Sequence, residues 1–185
     1  MKWNDHSKLN GIHAFLSPSK YHWVNYDGDK LERVYLAWQA VQQGVEVHEI
    51  AASLIGHRIK LPKIAKSLNM FVNDGIGYKM EPEKVLYFSP HCFGTADAIS
   101  FRDNMLRIHD LKTGTTKASI KQLEVYAAIF CLEYGIQPTD IEIELRLYQY
   151  NEVLVHNPEA EEILYIMAKI KEFDQRIEDI LKAEE

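Results

Sequence analysis

Gly94-Thr95-Ala96-Asp97-Ala98-Ile99-Ser100-Phe101, followed by Met105-Leu106-Arg107-Ile108-His109-Asp110-Leu111-Lys112-Thr113-Gly114, is the stretch that decides the fold. Two β-rich runs flank the polar segment Arg102-Asp103-Asn104, a turn signal of the kind that closes hairpins. With the turn centred between Asp103 and Asn104, Phe101 faces Leu106, Ile99 faces Ile108 and Asp97 faces Asp110. Side chains alternate along a strand, so Asp97, Ile99 and Phe101 share a face with Leu106, Ile108, Asp110 and Lys112. That face is apolar near the turn and carries two carboxylates and an amine at its far end. Like charges directly opposite each other destabilise a sheet, and charges on a core-facing surface are costly unless compensated. A divalent cation between Asp97 and Asp110 is the simplest compensation. The competing account is a surface hairpin whose polar residues face water; the apolar Ile99, Phe101, Leu106 and Ile108 on the same face count against it.

The bulk properties suit one soluble domain over 1–185: 46% of residues are hydrophobic and 26% charged, against a net charge of −6. No apolar run is long enough to cross a membrane, and Met-Lys-Trp-Asn-Asp-His has no signal-peptide core, so the cytoplasm is the expected compartment. Cys92 and Cys131 form no Cys-x-x-Cys pair, which excludes a zinc ribbon or iron–sulfur cluster. The negative charge is localised. Residues 152–185 hold ten acids and four bases, whereas residues 1–151 hold 17 of each. Within that neutral body, residues 57–84 hold six bases against three acids, enough for modest phosphate contacts.

Residues 1–29 read as an N-terminal arm, with a helix start at Ser17-Pro18-Ser19 and a turn at Tyr26-Asp27-Gly28-Asp29. A long helix is expected over 30–56, its stripe running Val34, Trp38, Val41, Val45, His48, Ala52 and Ile55. A shorter helix over 63–74, a short strand at 85–88 and the two hairpin strands follow. Then come a helix over 117–134, ending before Gly135, and a strand at 141–147 with one wet face. An acidic C-terminal helix is expected within 158–183, its stripe of Ile163, Met167, Ile170, Ile177, Ile180 and Leu181 suited to packing on its own domain or to binding a partner. Helix, three strands, helix, strand, helix is the order of an α/β protein, a small mixed β-sheet flanked by helices. On the first long helix, His48 is either a core histidine with satisfied nitrogens or a ligand. Gln122 and Tyr126, one turn apart, share a helix face.

Asp97 on one strand and Asp110-Leu111-Lys112 on the next resemble the signature of the PD-(D/E)XK nuclease superfamily. Gly44-Val45-Glu46-Val47-His48 is similar to the Gly-x-x-x-His helix of its RecB-like group of phage and bacterial exonucleases. Gly94-Thr95-Ala96-Asp97 resembles that group's Gly-Thr-Ala-Asp strand, and Gln122-Leu123-Glu124-Val125-Tyr126 its Gln-x-x-x-Tyr helix. The resemblance spans residues 17 to 150, with Ala96 where the superfamily's name has proline. It implies a PD-(D/E)XK nuclease-like core and a metal-dependent DNA nuclease of recombination, repair or phage DNA processing, without the iron–sulfur cluster of some relatives. It further implies Mg²⁺ or Mn²⁺ held by Asp97, Asp110, His48 and the Leu111 carbonyl, with Lys112 positioning the attacking water. Gln122 and Tyr126 would line the DNA channel or hold the lysine, and Thr113 with Gly114 turns the chain from strand towards helix. DNA is the expected partner, together with a homo-oligomer or a recombination protein, in a bacterial or phage-infected cell.

Two other classes compete. A nuclease-like scaffold or DNA-binding module of a recombination or packaging complex would have no need of charges on an apolar face. A hydrolase of small phosphoesters would need a nucleotide-cradling glycine loop, and none is present.

Overall fold

The structure is a computed structural model that describes Lys8 and residues 14–183. The first part of the expected arm, residues 1–7 and 9–13, lies outside the described residues. The chain forms two compact units, Met1–Gln43 and Gly44–Glu185. In the first, Pro18–Asn25 forms a 3₁₀ segment behind Ser17, where proline pre-sets the first helical φ. Helix α1 spans Gly28–Gly56 and so begins inside the expected turn. Asp27 sets that start: its carboxylate accepts the Lys30 amide at 2.7 Å. Phe15 stacks edge-on against Tyr35 and lies 5.7 Å from Trp38, forming a small aromatic cluster within this unit.

The second unit is a five-stranded mixed sheet flanked by helices. Its order is β1 (Glu81–Ser89), β2 (Cys92–Arg102), β3 (Met105–Leu111), β4 (Glu142–Gln149) and β5 (Glu152–His156). β1 to β3 form an antiparallel meander, β4 runs parallel to β3, and β5 folds back on β4. The parallel step needs a crossover, supplied by α3 (Lys121–Tyr134). The β2–β3 register is the expected one over Phe101–Leu106 and Ile99–Ile108, but the ladder ends at Ala98–His109, one step short of the expected Asp97–Asp110 pair. Asp103 and Asn104 close the turn with φ of +51° and +58°, the left-handed pair of a two-residue hairpin.

Apolar side chains fill both sides of the sheet. Ile99, Leu106, Ile108, Ile143 and Leu145 pack with Leu123, Ala127 and Cys131 of α3, and with Ile163 and Met167 of α4 (Ala160–Ala183). On the other side, Ala98, Leu111 and Tyr148 pack with Ala51 and Ile55 of α1 and with Phe71, Val72 and Ile76 of α2 (Ser67–Gly77). Burying side chains of this size contributes about 1.5–3 kcal/mol each before entropy is counted. The proposed stripe of α1 is only partly a core stripe. Val45 is exposed, and the buried residues of this helix are Ala51 and Ile55.

Several boundaries differ from expectation; β1, for one, spans Glu81–Ser89 rather than 85–88. α2 starts at Ser67 rather than 63, because α2 holds the preceding loop against itself. Asn73 bonds both the amide and the carbonyl of Leu61, and Asn69 donates to the Pro62 carbonyl. α3 starts at Lys121 rather than 117, since the chain before it is tied to β4: Gln149 accepts the Ala118 amide and donates to the Gly114 and Thr116 carbonyls. β5 was not expected at all. Tyr150 and Asn151, with φ of +54° and +62°, form a second two-residue hairpin turn that ends β4 and starts β5. Among the described residues, no helix is long and apolar enough to cross a membrane.

Candidate metal centre

Asp97 follows the β2–β3 pairs at the end away from the turn, one step beyond Ala98 and His109. Its Oδ2 accepts the Leu111 amide at 2.9 Å and lies 3.3 Å from Nδ1 of His48. The two hairpin strands and α1 thus meet on a single carboxylate. Gly44 explains how the helix comes so close. A Cβ at this position would stand 3.0 Å from Oγ1 of Thr113, so the helix passes the strand end at side-chain contact distance. His48, one turn further along, follows from that close approach.

Asp110 is almost completely buried. Its Oδ1 accepts the Lys112 ammonium at 3.0 Å, whereas its Oδ2 is buried with no hydrogen-bond partner among the described residues. Burial, and then the neighbouring Asp97 charge, push the Asp110 carboxyl above the usual carboxylate range. Lys112 also donates to Oε1 of Gln122 at 3.0 Å, so its ammonium is held between strand and helix. The Tyr126 hydroxyl donates to the Thr95 carbonyl at 2.7 Å. Its ring lies where a Cβ on Gly94 would stand, 3.0 Å from Cε1. The Gly-Thr-Ala-Asp and Gln-x-x-x-Tyr segments therefore touch.

His109, adjacent to Asp110 in sequence, lies on the opposite face, as alternation requires. It is buried, with Nδ1 3.2 Å from the Tyr148 hydroxyl. Desolvation, aided by Arg146 and Arg107, lowers its pKa to about 3, so it is a neutral core residue.

Glu83 belongs to the centre but was not found in the sequence. Its carboxylate, Asp97 and His48 bring ligand atoms within 4.8 Å of one another. These three line an open cleft of about 660 Å³, together with Gly44, Val45, Glu49 and Ala52. Burial, reinforced by Asp97, raises the Glu83 pKa; the hydrogen bond to Asp97 raises that of His48. Glu81-Pro82-Glu83-Lys84 reads locally as a turn, so no local pattern marked Glu83 as a strand residue facing Asp97.

The donor set suits a divalent cation. Carboxylates at Glu83 and Asp97 face the His48 imidazole; Asp110 is not part of that cluster, and its buried Oδ2 lacks a hydrogen-bond partner among the described residues. Positive charge there would offset the burial, and the repulsion from Asp97, that raise the Asp110 and Glu83 pKa values. No family model, no curated protein and no solved structure matches the chain.

Proposed function

We propose that the chain is a divalent-metal-dependent DNA nuclease with a PD-(D/E)XK-like core of the RecB-like exonuclease kind, hydrolysing phosphodiester bonds. The observation that carries the reading is the state of Asp110. One of its oxygens is bonded to Lys112, while the other is buried beside the Asp97 charge with no partner among the described residues. A buried carboxylate oxygen left without a partner calls for a ligand, and a metal ion supplies one.

Asp97, Asp110 and the Leu111 carbonyl would hold Mg²⁺ or Mn²⁺, with His48 and Glu83 as further ligands; the imidazole favours manganese over magnesium. Such an ion neutralises charge on the phosphate oxygens and lowers the pKa of water. The remaining work falls to the chain. The Leu111 amide fixes the orientation of Asp97, and Gln122 with Asp110 fixes the Lys112 ammonium. From there Lys112 donates hydrogen bonds to the attacking water and faces the negative charge that grows on the phosphoryl oxygens. Tyr126 holds the strand that carries Asp97 through the Thr95 carbonyl.

Phosphate contacts would come from the basic segment preceding the site. Lys66 shares a groove of about 380 Å³ with Lys112, Thr113, Gly114, Thr115 and Tyr150, and Arg58, Lys60 and Lys63 are exposed nearby in sequence. The test is cleavage of labelled linear DNA with Mg²⁺ or Mn²⁺. Asp110→Ala and Lys112→Ala should each abolish cleavage while the fold survives; full activity in both rejects the mechanism. A scaffold reading has one supporting observation, the exposed Tyr165, Phe173 and Ile180 on α4. Failure to bind Mn²⁺ at millimolar concentration in calorimetric titration would favour it.

A further inference from the structure

We propose a second divalent-cation site, formed by Glu124, His156 and Glu162 where β5, α3 and α4 meet. It involves none of the nuclease residues and does not depend on the nuclease reading.

His156 is the last residue of β5, paired with Leu145 of β4. Asn157, next in the chain, donates to the Ile143 carbonyl at 3.0 Å and so anchors the exit from the strand. Glu124 lies in the first turn of α3 with its side chain only 3% exposed. Glu162 lies in the first turn of α4, where its Oε2 accepts the Glu159 amide at 3.0 Å and is held in place.

The distances between these groups are longer than hydrogen bonds and a little longer than the donor spacing of a closed metal shell. Nε2 of His156 is buried and has no hydrogen-bond partner among the described residues. Its nearest acceptors are Oε1 of Glu124 at 3.7 Å and Oε2 of Glu162 at 4.0 Å. Both separations exceed a hydrogen bond. An ion making bonds of about 2.0–2.2 Å in a tetrahedral shell holds donors roughly 3.4 Å apart, so small side-chain movements complete the set. All three ligand atoms lie within 4.8 Å of one another, and Glu162, whose side chain is 44% exposed, has room to close the remainder.

One imidazole and two carboxylates match zinc and its first-row neighbours better than magnesium or calcium, which prefer all-oxygen shells. Three protein ligands leave a fourth position for water on the solvent side, reached past Glu162. Lys121 competes weakly: it bonds the other oxygen of Glu124, but its side chain is 63% exposed and free to swing away. A bound ion would tie the start of α4 to α3 and to the end of the sheet. Ile163, the residue after Glu162, is fully buried, so the clamp acts where this helix enters the core.

The experiment measures Zn²⁺ bound by the full chain in competition with a chromophoric chelator. A background of His48→Ala with Asp97→Asn silences the first centre. That background should retain one Zn²⁺ equivalent, and adding His156→Ala or Glu162→Gln should weaken it at least about tenfold. Zinc should raise the melting temperature of the background protein and leave that of the His156→Ala form unchanged. Glu162 is the more exposed position, so Glu162→Gln keeps the test if His156→Ala fails to fold. Unchanged zinc affinity in the variants, or no zinc bound by the background protein, overturns the proposal.

Discussion

Glu83 stands across the β1–β2 ladder from Asp97, between the pairs Pro82–Ala98 and Lys84–Ala96, with a backbone φ of +49°. A non-glycine residue in the left-handed region costs about 1 kcal/mol or more and persists only where its surroundings hold it. Here the unfavourable backbone accompanies a carboxylate aimed at Asp97 and His48. Glycine adopts this conformation freely. Glu83→Gly should therefore raise stability towards unfolding in urea by up to about 1 kcal/mol when a chelator is present. The same variant should bind Mn²⁺ more weakly by calorimetry. Lower stability together with unchanged metal affinity would separate Glu83 from the centre.

Metal should stabilise the fold through that centre. A ligand that binds only the native state, at a hundred times its dissociation constant, adds about 2.7 kcal/mol, or roughly 5–10 °C for a chain of this size. Mn²⁺ should produce such a shift in the native protein and little of it in Asp97→Asn, as read by thermal melting against a chelator control.

Gln122 touches the lysine, not the metal ligands. Its loss removes one of the two acceptors that hold the Lys112 ammonium, and Asp110 keeps the other. In Gln122→Ala the cleavage rate at saturating DNA should fall about tenfold, the lower end for a hydrogen bond to a charged group because this one is exposed to water. The DNA concentration at half-maximal rate should stay the same. A change confined to that concentration would instead make Gln122 a DNA-binding residue.

His109 gives the fold an acid sensitivity of its own. Its pKa is about 3 in the folded protein, against an ordinary value near 6.5 in the unfolded chain. Above that ordinary value both states are neutral and His109 adds no pH dependence. Below it the unfolded chain takes a proton that the folded protein refuses until about pH 3, so stability falls as pH falls through that window. His109→Gln keeps a polar group near Tyr148 and removes the titration. Urea midpoints between pH 7 and pH 5 should fall less steeply for this variant than for the native protein; identical slopes would refute the assignment.

The β2–β3 hairpin was legible because its rules are local. Two-residue turns suit residues that tolerate positive φ, and strict alternation then assigns each side chain a face. The same alternation puts His109 on the face opposite Asp110. The second hairpin carried a similar signal in Tyr150-Asn151, between Leu147-Tyr148 and Val153-Leu154-Val155, and β5 was readable from it.

What the chain determined by itself was the β2–β3 hairpin with its Phe101–Leu106 and Ile99–Ile108 pairs, along with the helices and most strands around it. Only tertiary structure decided that Glu83 opposes Asp97, since the β1–β2 register shifts between Tyr87 and Ser89 near a turn whose geometry no short motif specifies. The same holds for the seating of His48 over Asp97 and for the meeting of Glu124, His156 and Glu162. Such groups lie far apart in the chain and are joined by packing, and packing depends on the shapes of whole elements rather than on the period of any one of them.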